Sequence, residues 1–370
     1  MQFAIHPQIH SYITFADFEQ AHCIGPRDLI LTQRFLLETF FDQTSAQTLL
    51  YDDYCDGEPT DSAVDDMLIE VRSRDFDRLI AIGGGSILDC AKVLALDSND
   101  TVASLFDPAV QPSRKVELIL APTTCGTGCE VTCVSVLDFS AIGSKIGKGF
   151  NSGFADHAVL IDEFLSRIPY QVFANSSADA LVHALEIYLA PKANAYTDVF
   201  CLTAVRAILK GYLRIVQFGP DVIQEDARSY LAASNMAGIA LANVLAGGVH
   251  AIAMHFGSEH HVPHGEATRL FLPPVFKTYY DKAPTGKIAG IAQLIEEVLG
   301  PCSSGGTPFD ELDELLAKVV PTRRLSEYGM HAEDASRYAD KVIETQQRLL
   351  VNNYQPLSKA DIVQIYSQLM

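Results

Sequence analysis

The chain has 370 residues, of which 48% are hydrophobic, and carries 27 Lys and Arg against 46 Asp and Glu. Such a chain can bury a sizeable core and is long enough for about two domains. Its formal charge of -19 repels phosphodiester backbones and anionic lipid, which argues against nucleic acid and membrane partners. The sequence shows no secretory signal pattern and no run of roughly 18 apolar residues. We therefore expect a cytoplasmic protein.

Apolar runs alternate with helical patterns in the first part of the chain. The runs are DLILT at 28–32, QTLLY at 47–51, DRLIAI at 77–82, VELILAP at 116–122 and HAVLI at 157–161. Strands that alternate with helices predict a parallel sheet covered by helices. We place this α/β domain at residues 1–172.

The second part of the chain has long helical periodicity from Ser176 onward, which predicts an all-helical domain at residues 173–370. Pro191 is expected to end the first of its helices and Gly219-Pro220 the second. Pro273-Pro274 is expected to interrupt a later helix.

A glycine-rich turn, Gly83-Gly84-Gly85-Ser86, follows the strand DRLIAI and precedes a segment with helical spacing. Glycines let the backbone approach a diphosphate, and the N-terminus of the next helix offers free N–H groups. The turn therefore predicts a dinucleotide site. The alternative is a tight turn that needs positive φ angles. The G-x-G-x-x-G spacing of the usual Rossmann nucleotide-binding motif is absent here, which favours that alternative.

A second segment of small residues, PTTCGTGCE at 122–130, follows the strand VELILA. Its hydroxyls suit pyrophosphate and ribose at the carboxyl edge of the same sheet. Three of the eight cysteines cluster here, namely Cys125, Cys129 and Cys133. Their spacing is not the paired C-x-x-C of a structural zinc site, so we assign them no metal.

Asp179 and His183 are four residues apart in a helical pattern and share one helix face. Taken singly, Asp179 reads as a helix cap and His183 as a core histidine. Five of the 11 histidines, however, fall between residues 250 and 264 in an apolar neighbourhood. One carboxylate with three imidazoles suits a divalent transition metal with an open position for a substrate oxygen. At that position an alcohol loses its proton more easily and a carbonyl becomes more electrophilic.

Together, the segments GGGSILDCAK, PTTCGTGCEVT, DALVHALEIYLAPKA, VHAIAMHFG and HVPHGEATRLFLP resemble the iron-containing (group III) alcohol dehydrogenase family. The resemblance covers nearly the whole chain. It implies a Rossmann-like nucleotide-binding domain followed by an all-α metal-binding domain, the fold shared with dehydroquinate synthase. It also implies a homodimeric, metal-dependent, NAD(P)-linked enzyme that acts on a small alcohol or aldehyde.

Within the family, HVPHGEA, KIG, ADHA and NNYQPLS are most similar to the bacterial 4-hydroxybutyrate dehydrogenases. This resemblance implies interconversion of 4-hydroxybutyrate and succinate semialdehyde. The substrate carboxylate then needs a polar partner, and His260, His261 and Arg269 are candidates by position. The alternatives are a glycerol, 1,3-propanediol or general primary alcohol dehydrogenase, or a non-enzymatic nucleotide- or metal-sensing regulator.

The resemblance also assigns site residues. It places the family's metal, Fe²⁺ or sometimes Zn²⁺, and with it the catalytic site, on Asp179, His183, His250 and His264. The nucleotide contacts implied are Gly83, Gly84, Gly85, Ser86, Thr123, Thr124, Thr127 and Lys145, with Asp89 and Lys92 in the following helix.

Three positions depart from the family pattern. Met254 stands where many members have a second histidine, with His255 one step on, and Cys129 replaces a serine. Gln33, followed by Arg34, replaces an acidic residue that binds the adenine ribose. Because Arg34 at a strand end should project away from the ribose, we expect NAD(H) to be preferred, with measurable NADP(H) use.

Overall fold

The computed structural model describes residues 3–142, 144–303 and 305–370. The chain divides into two compact units. The sheet unit consists of Ala4–Thr124 and Gly128–Ile168, and the helical unit consists of Pro169–Met370 with Phe3 and Cys125–Thr127. Each unit is described by itself below.

The sheet unit is built on a six-stranded parallel sheet in the order β1-β8-β5-β4-β2-β3. Its strands are β1 (Gln8–Tyr12), β2 (Asp28–Thr32), β3 (Gln47–Leu50), β4 (Arg78–Gly83), β5 (Glu117–Pro122) and β8 (His157–Ile161). Strands β6 (Val134–Phe139) and β7 (Ser144–Gly149) form a separate antiparallel hairpin. The predicted parallel α/β sheet is confirmed.

Both faces of the large sheet are buried, because successive side chains of each strand point to opposite faces. Leu79, Leu118 and Leu120 belong to one apolar cluster. Ile80 and Ile119, which alternate with them along the strands, belong to a second cluster. Strands covered on both faces read as continuous apolar runs, which is why the sequence reveals them.

The helices of the sheet unit are α1 (Phe15–His22), α2 (Arg34–Phe40), α3 (Asp61–Arg72), α4 (Gly85–Leu94) and α5 (Val102–Leu105). Short 3₁₀ turns occupy Tyr51–Asp53, Cys129–Val131 and Asp162–Arg167. The sequence pattern did not predict β1 or the hairpin. Their strands carry exposed positions and lack a continuous apolar run, as in QIHSY and SKIGKG.

The helical unit contains the remaining helices, so the predicted all-helical second half is confirmed. They are α6 (Tyr170–Leu189), α7 (Ala195–Phe218), α8 (Val222–Glu225), α9 (Ala227–Asn243), α10 (Gly248–His260), α11 (His264–Lys282), α12 (Lys287–Leu299), α13 (Pro308–Val319), α14 (Asp334–Thr345), α15 (Gln347–Leu350) and α16 (Lys359–Gln368). A 3₁₀ turn spans Leu325–Tyr328.

The predicted interruption at Pro273-Pro274 is wrong, because α11 runs from His264 to Lys282 with both prolines inside it. Both prolines are buried, as are their neighbours Leu272 and Val275. The stabilisation from packing this apolar stretch outweighs the cost of the two backbone N–H donors that the prolines lack.

No single helix in the described part of the chain is long and apolar enough to span a membrane. By length and composition alone, α9 and α10 pass the same test as a pair, with a bend of 102° at the break between them.

Candidate metal centre and nucleotide loop

Helix α6 carries the first two predicted ligands inside the helical unit. It begins at Tyr170, so Asp179 lies well inside the helix and does not cap its N-terminus. Asp179 is 3% exposed and His183 6% exposed. A buried carboxylate requires partners, since burial of an unpaired charge is costly. The position of Asp179 inside α6 excludes its interpretation as an N-cap residue.

Helix α11 begins at His264, and its first turn packs tightly against α6. A Cβ on Gly265 would lie 2.0 Å from the carbonyl oxygen of Asn175, so only glycine allows this approach. The close contact brings His264 Nε2 to 3.6 Å from Asp179 Oδ1.

Three side chains form a compact group with the geometry of a metal site. One ligand atom each from Asp179, His250 and His264 lies within 4.8 Å of the other two. His250 Nε2 is 3.5 Å from Asp179 Oδ1. Ligand atoms about 2.0–2.2 Å from a tetrahedral ion stand about 3.3–3.6 Å apart, so the spacing suits such an ion. Asp179 and His250 are buried, whereas the His264 side chain is 49% exposed.

His183 lies beside this group. Its Nδ1 is 3.8 Å from Asp179 Oδ2, and its ring stacks on His250 with centroids 4.5 Å apart. His183 Nδ1 and His250 Nε2 are buried without a hydrogen-bond partner. Buried imidazole nitrogens that lack a hydrogen-bond partner and lie beside a carboxylate can serve as ligands of a divalent cation. These residues therefore fit a metal.

The protonation states of Asp179 and His183 favour a cation, whereas that of His250 opposes one. Burial opposes ionisation of Asp179, but the imidazoles of His183, His264 and His250 hold its pKa well below the ordinary range. Burial lowers the pKa of His183 to about 4. Burial also acts to lower the pKa of His250, but the neighbouring carboxylates of Asp179 and Glu186 outweigh it and raise this pKa to about 10. A metal bound here must displace the proton that His250 holds beside Asp179.

The glycine turn lies where the sequence predicts it, between β4 and the N-terminus of α4. Gly84 caps α4 with φ of -73°, and none of Gly83, Gly84 and Gly85 has a positive φ. The interpretation as a turn that needs positive φ is therefore wrong. A Cβ on Gly83 would lie 2.4 Å from Ile87 Cδ1, so this glycine allows close packing between strand and helix.

Ser86 and Lys145, two predicted nucleotide contacts, are joined by a residue that the sequence reasoning missed. Lys145 Nζ lies 3.1 Å from Glu58 Oε1, and Ser86 Oγ donates to Glu58 Oε2 at 3.4 Å. Lys145 is on the β6-β7 hairpin, and Glu58 precedes α3. No motif marked Glu58, because only the fold brings these segments together.

Asp89 and Lys92 are not free to contact a nucleotide. Lys92 is fully buried, and its Nζ lies 3.2 Å from Asp89 Oδ1, 2.9 Å from Cys129 Sγ and 2.7 Å from the Val134 carbonyl oxygen. Val136 N–H donates to Asp89 Oδ2 at 3.0 Å. The two side chains therefore anchor α4 to the hairpin, which corrects their predicted role.

The strand-end position on which the expected orientation of Arg34 was based is wrong. Gln33 precedes α2 as its N-cap residue, and Arg34 is the first residue of the helix rather than the end of a strand. The Arg34 guanidinium lies 2.7 Å from Asp53 Oδ1, and its backbone N–H donates to Asp52 Oδ2 at 2.6 Å. Acidic side chains from the 3₁₀ turn that follows β3 thus hold Arg34.

Two of the three candidates for a substrate carboxylate have other partners. Arg269 is buried, donates to the Val320 carbonyl oxygen and lies 3.1 Å from Asp313 Oδ1. His260 Nε2 is 2.7 Å from the Tyr338 hydroxyl. The burial of Arg269 beside Asp313 corrects its predicted role, whereas the half-buried His260 and the exposed His261 stay predictions.

Comparisons with known proteins agree with this geometry. Residues 18–162 match the model of iron-containing alcohol dehydrogenases, and residues 173–370 match the model of the C-terminal part of the Fe-containing alcohol dehydrogenase family. The chain belongs to the iron-containing alcohol dehydrogenase family. It is accordingly a dehydrogenase, and the family implies alcohols or aldehydes as substrates.

Among curated family members, the chain is 41% identical to the 4-hydroxybutyrate dehydrogenase of Clostridium kluyveri, over 98% of each chain. It is 33% identical to long-chain-alcohol dehydrogenase 1 of Geobacillus thermodenitrificans, over 80% of this chain and 75% of that one. The solved structure of sulfoacetaldehyde reductase from Bifidobacterium kashiwanohense in complex with NAD+ has the same fold, with a TM-score of 0.84 at 20% identity, covering 100% of this chain and 98% of that one.

Proposed function

We propose that this dehydrogenase interconverts 4-hydroxybutyrate and succinate semialdehyde by hydride transfer, with NAD(H) as cofactor and Fe²⁺ as metal. The observation that carries the proposal is the 41% identity, over nearly the whole chain, to a 4-hydroxybutyrate dehydrogenase. The compact Asp179, His250 and His264 group supports it, because aldehyde reduction at a metal needs such a donor set.

In this proposal Asp179, His183, His250 and His264 hold the ion, with Zn²⁺ as the alternative metal. The bound ion would supply Lewis-acid chemistry, which polarises a carbonyl and eases deprotonation of an alcohol. Asp179 offsets part of the ion's charge, and the partly exposed His264 lies on the side that a substrate can reach.

The nucleotide is assigned to the domain at 1–172 and the metal to the domain at 173–370. Gly83, Gly84, Gly85 and Ser86 would bind the diphosphate at the N-terminus of α4, as free helix N–H groups attract anions. The further contacts proposed are Thr123, Thr124, Thr127, Lys145 and Gln33. Lys145 would exchange its contact with Glu58 for one with the cofactor.

We further propose a cytoplasmic homodimer. β1 forms one edge of the large sheet and exposes Ile9, with the exposed Ile5 and Ile13 on either side of the strand. Exposed apolar edges of sheets are surfaces on which a second copy can pair. The eight cysteines are free thiols, which suits a reducing compartment.

The substrate proposal predicts discrimination by the carboxylate. With Fe²⁺-loaded enzyme and NADH, kcat/KM for succinate semialdehyde should exceed that for butyraldehyde by about 10- to 100-fold, the value of one or two charge-assisted hydrogen bonds. Anaerobic assays at the reduced-nicotinamide absorbance measure both constants. Equal constants would favour a general primary alcohol dehydrogenase, and higher activity on glycerol or 1,3-propanediol would favour the diol alternative.

The cofactor prediction is that NADH is used more efficiently than NADPH. Asp53 holds Arg34, and both Asp52 and Asp53 oppose a 2′-phosphate. Asp53→Asn should therefore raise kcat/KM for NADPH by up to about fivefold, since the ion pair is exposed, while the value for NADH changes little. Gln33→Asp should shift selectivity the other way, and less so at high salt. A wild-type enzyme that prefers NADPH would contradict the prediction.

A further inference from the structure

Glu186 lies on α6, two helical turns after Asp179, and its side chain is fully buried. Its Oε1 accepts the backbone N–H of Val249 at 2.5 Å, in the first turn of α10. Its Oε2 lies 2.6 Å from Nδ1 of His250. A single carboxylate thus contacts both the start of α10 and one ring nitrogen of a proposed metal ligand.

The two contacts determine where the proton of His250 resides. A backbone N–H can only donate, so Glu186 Oε1 must accept. A carboxylate that accepts at both oxygens requires Nδ1 of His250 to carry a hydrogen. When the ring is neutral, His250 Nε2, which faces Asp179 Oδ1 at 3.5 Å, is then the nitrogen with a lone pair for a metal.

The geometry points to Glu186 as the positioning residue of the metal site: we propose that it fixes the ring orientation and tautomer of His250 and thereby sets the affinity for a divalent ion. This inference rests on the proposed ligand set. Carboxylates that accept a hydrogen bond from a ligating imidazole commonly have this effect.

Two glycines allow α10 to begin close to Glu186. A Cβ on Gly247 would lie 3.2 Å from Glu186 Oε1. A Cβ on Gly248 would lie 2.7 Å from the Tyr279 hydroxyl and 2.8 Å from Asn353 Oδ1. Asn353 belongs to the NNYQPLS segment, whose place in the fold is therefore against this turn. The segment contacts Ala246 and Gly248 and thereby supports the start of α10.

The test is Glu186→Gln, because an amide accepts a hydrogen bond at only one end. If its oxygen accepts from Val249, its NH₂ faces His250 Nδ1, which must then become the acceptor and move the hydrogen to Nε2. In the opposite orientation, the NH₂ meets the Val249 N–H. We expect the Kd for Zn²⁺ alone, measured by competition with a chelator, to rise by about 10- to 100-fold.

Two further measurements separate positioning from general damage. In the Zn²⁺-loaded wild type, ¹H–¹⁵N spectra of histidine-labelled protein should show an exchange-protected Nδ1–H of His250, and Glu186→Gln should lose it. Glu186→Asp keeps an accepting group and should recover part of the affinity. The matched control is Asp313→Asn, which removes the carboxylate partner of buried Arg269 in the same unit. It should lower thermal stability without changing the Kd for Zn²⁺.

Wild-type Zn²⁺ affinity and an unchanged Nδ1–H signal in folded Glu186→Gln would overturn the inference. An equal loss of affinity in Asp313→Asn would also overturn it, because the effect would then follow stability. The proposed reaction has a separate outcome. A wild type that binds Zn²⁺ through His250 but does not reduce succinate semialdehyde with Fe²⁺ would refute the substrate proposal and leave the role of Glu186 intact.

Discussion

Asp179→Ala is expected to yield a folded chain that binds no divalent metal and has lost about a thousandfold or more in kcat/KM, since a Lewis acid contributes several kcal/mol to such reactions. Asp179 has an oxygen within 3.8 Å of a nitrogen of each of the three proposed imidazole ligands. Loss of its side chain therefore removes the one negatively charged ligand and the carboxylate that all three imidazoles face. Metal content by elemental analysis and turnover with added Fe²⁺ measure the two effects.

His264→Ala and His183→Ala extend this test to individual ligands. Both should lose metal and turnover while the fold persists, because the helical unit has an extensive core elsewhere. The control is Asp198→Ala, which removes an ion pair with Lys287 in the same unit and should keep full metal content. A metal-free but fully active His264→Ala enzyme would falsify the assignment. Metal retention in His183→Ala alone would reduce the protein ligands to three.

Gly265→Ala is expected to abolish metal binding almost as completely as loss of a ligand, although it removes no donor atom. The added Cβ would lie 2.0 Å from the carbonyl oxygen of Asn175 and 2.6 Å from its carbonyl carbon. Both contacts are with backbone, so the start of α11 must move away from α6 and take His264 with it. Overpacking of this kind costs about 1–3 kcal/mol of stability. Thermal unfolding and Zn²⁺ titration measure the two consequences.

The control for Gly265→Ala is Gly290→Ala in α12. A Cβ there would meet the Tyr188 hydroxyl at 3.2 Å, the end of a side chain that can move. Metal affinity should stay at the wild-type value in this variant. If Gly265→Ala binds Zn²⁺ as tightly as the wild type, the close approach of the two helices does not position His264.

The sequence was informative where one face or both faces of an element are uniformly buried. The four interior strands of the large sheet are apolar runs because both of their faces are covered, and the helical half shows its periodicity for a related reason. β1 has one buried neighbour strand and mostly exposed or half-buried side chains, so its pattern is weak. The predicted helix break at Pro273-Pro274 is wrong because burial in a packed core outweighs the low helix propensity of proline.

The site shows the same division. Local spacing alone places Asp179 and His183 on one helix face, and the glycine turn follows directly from a strand and a helix adjacent in the chain. Selection among the five clustered histidines depended on family resemblance, because spacing within residues 250–264 does not say which rings face Asp179.

The sequence by itself determined the alternation of five strands with helices in the first half, the helical second half, the shared helix face of Asp179 and His183, and the glycine turn, since each is a pattern among residues close together in the chain. Only the tertiary structure decided three contacts. They are the hydrogen bond between Glu186 and His250 and the ion pairs Asp53–Arg34 and Asp313–Arg269. These contacts join residues 19 to 64 positions apart. Their partners are set by how helices and strands pack, which periodicity does not encode.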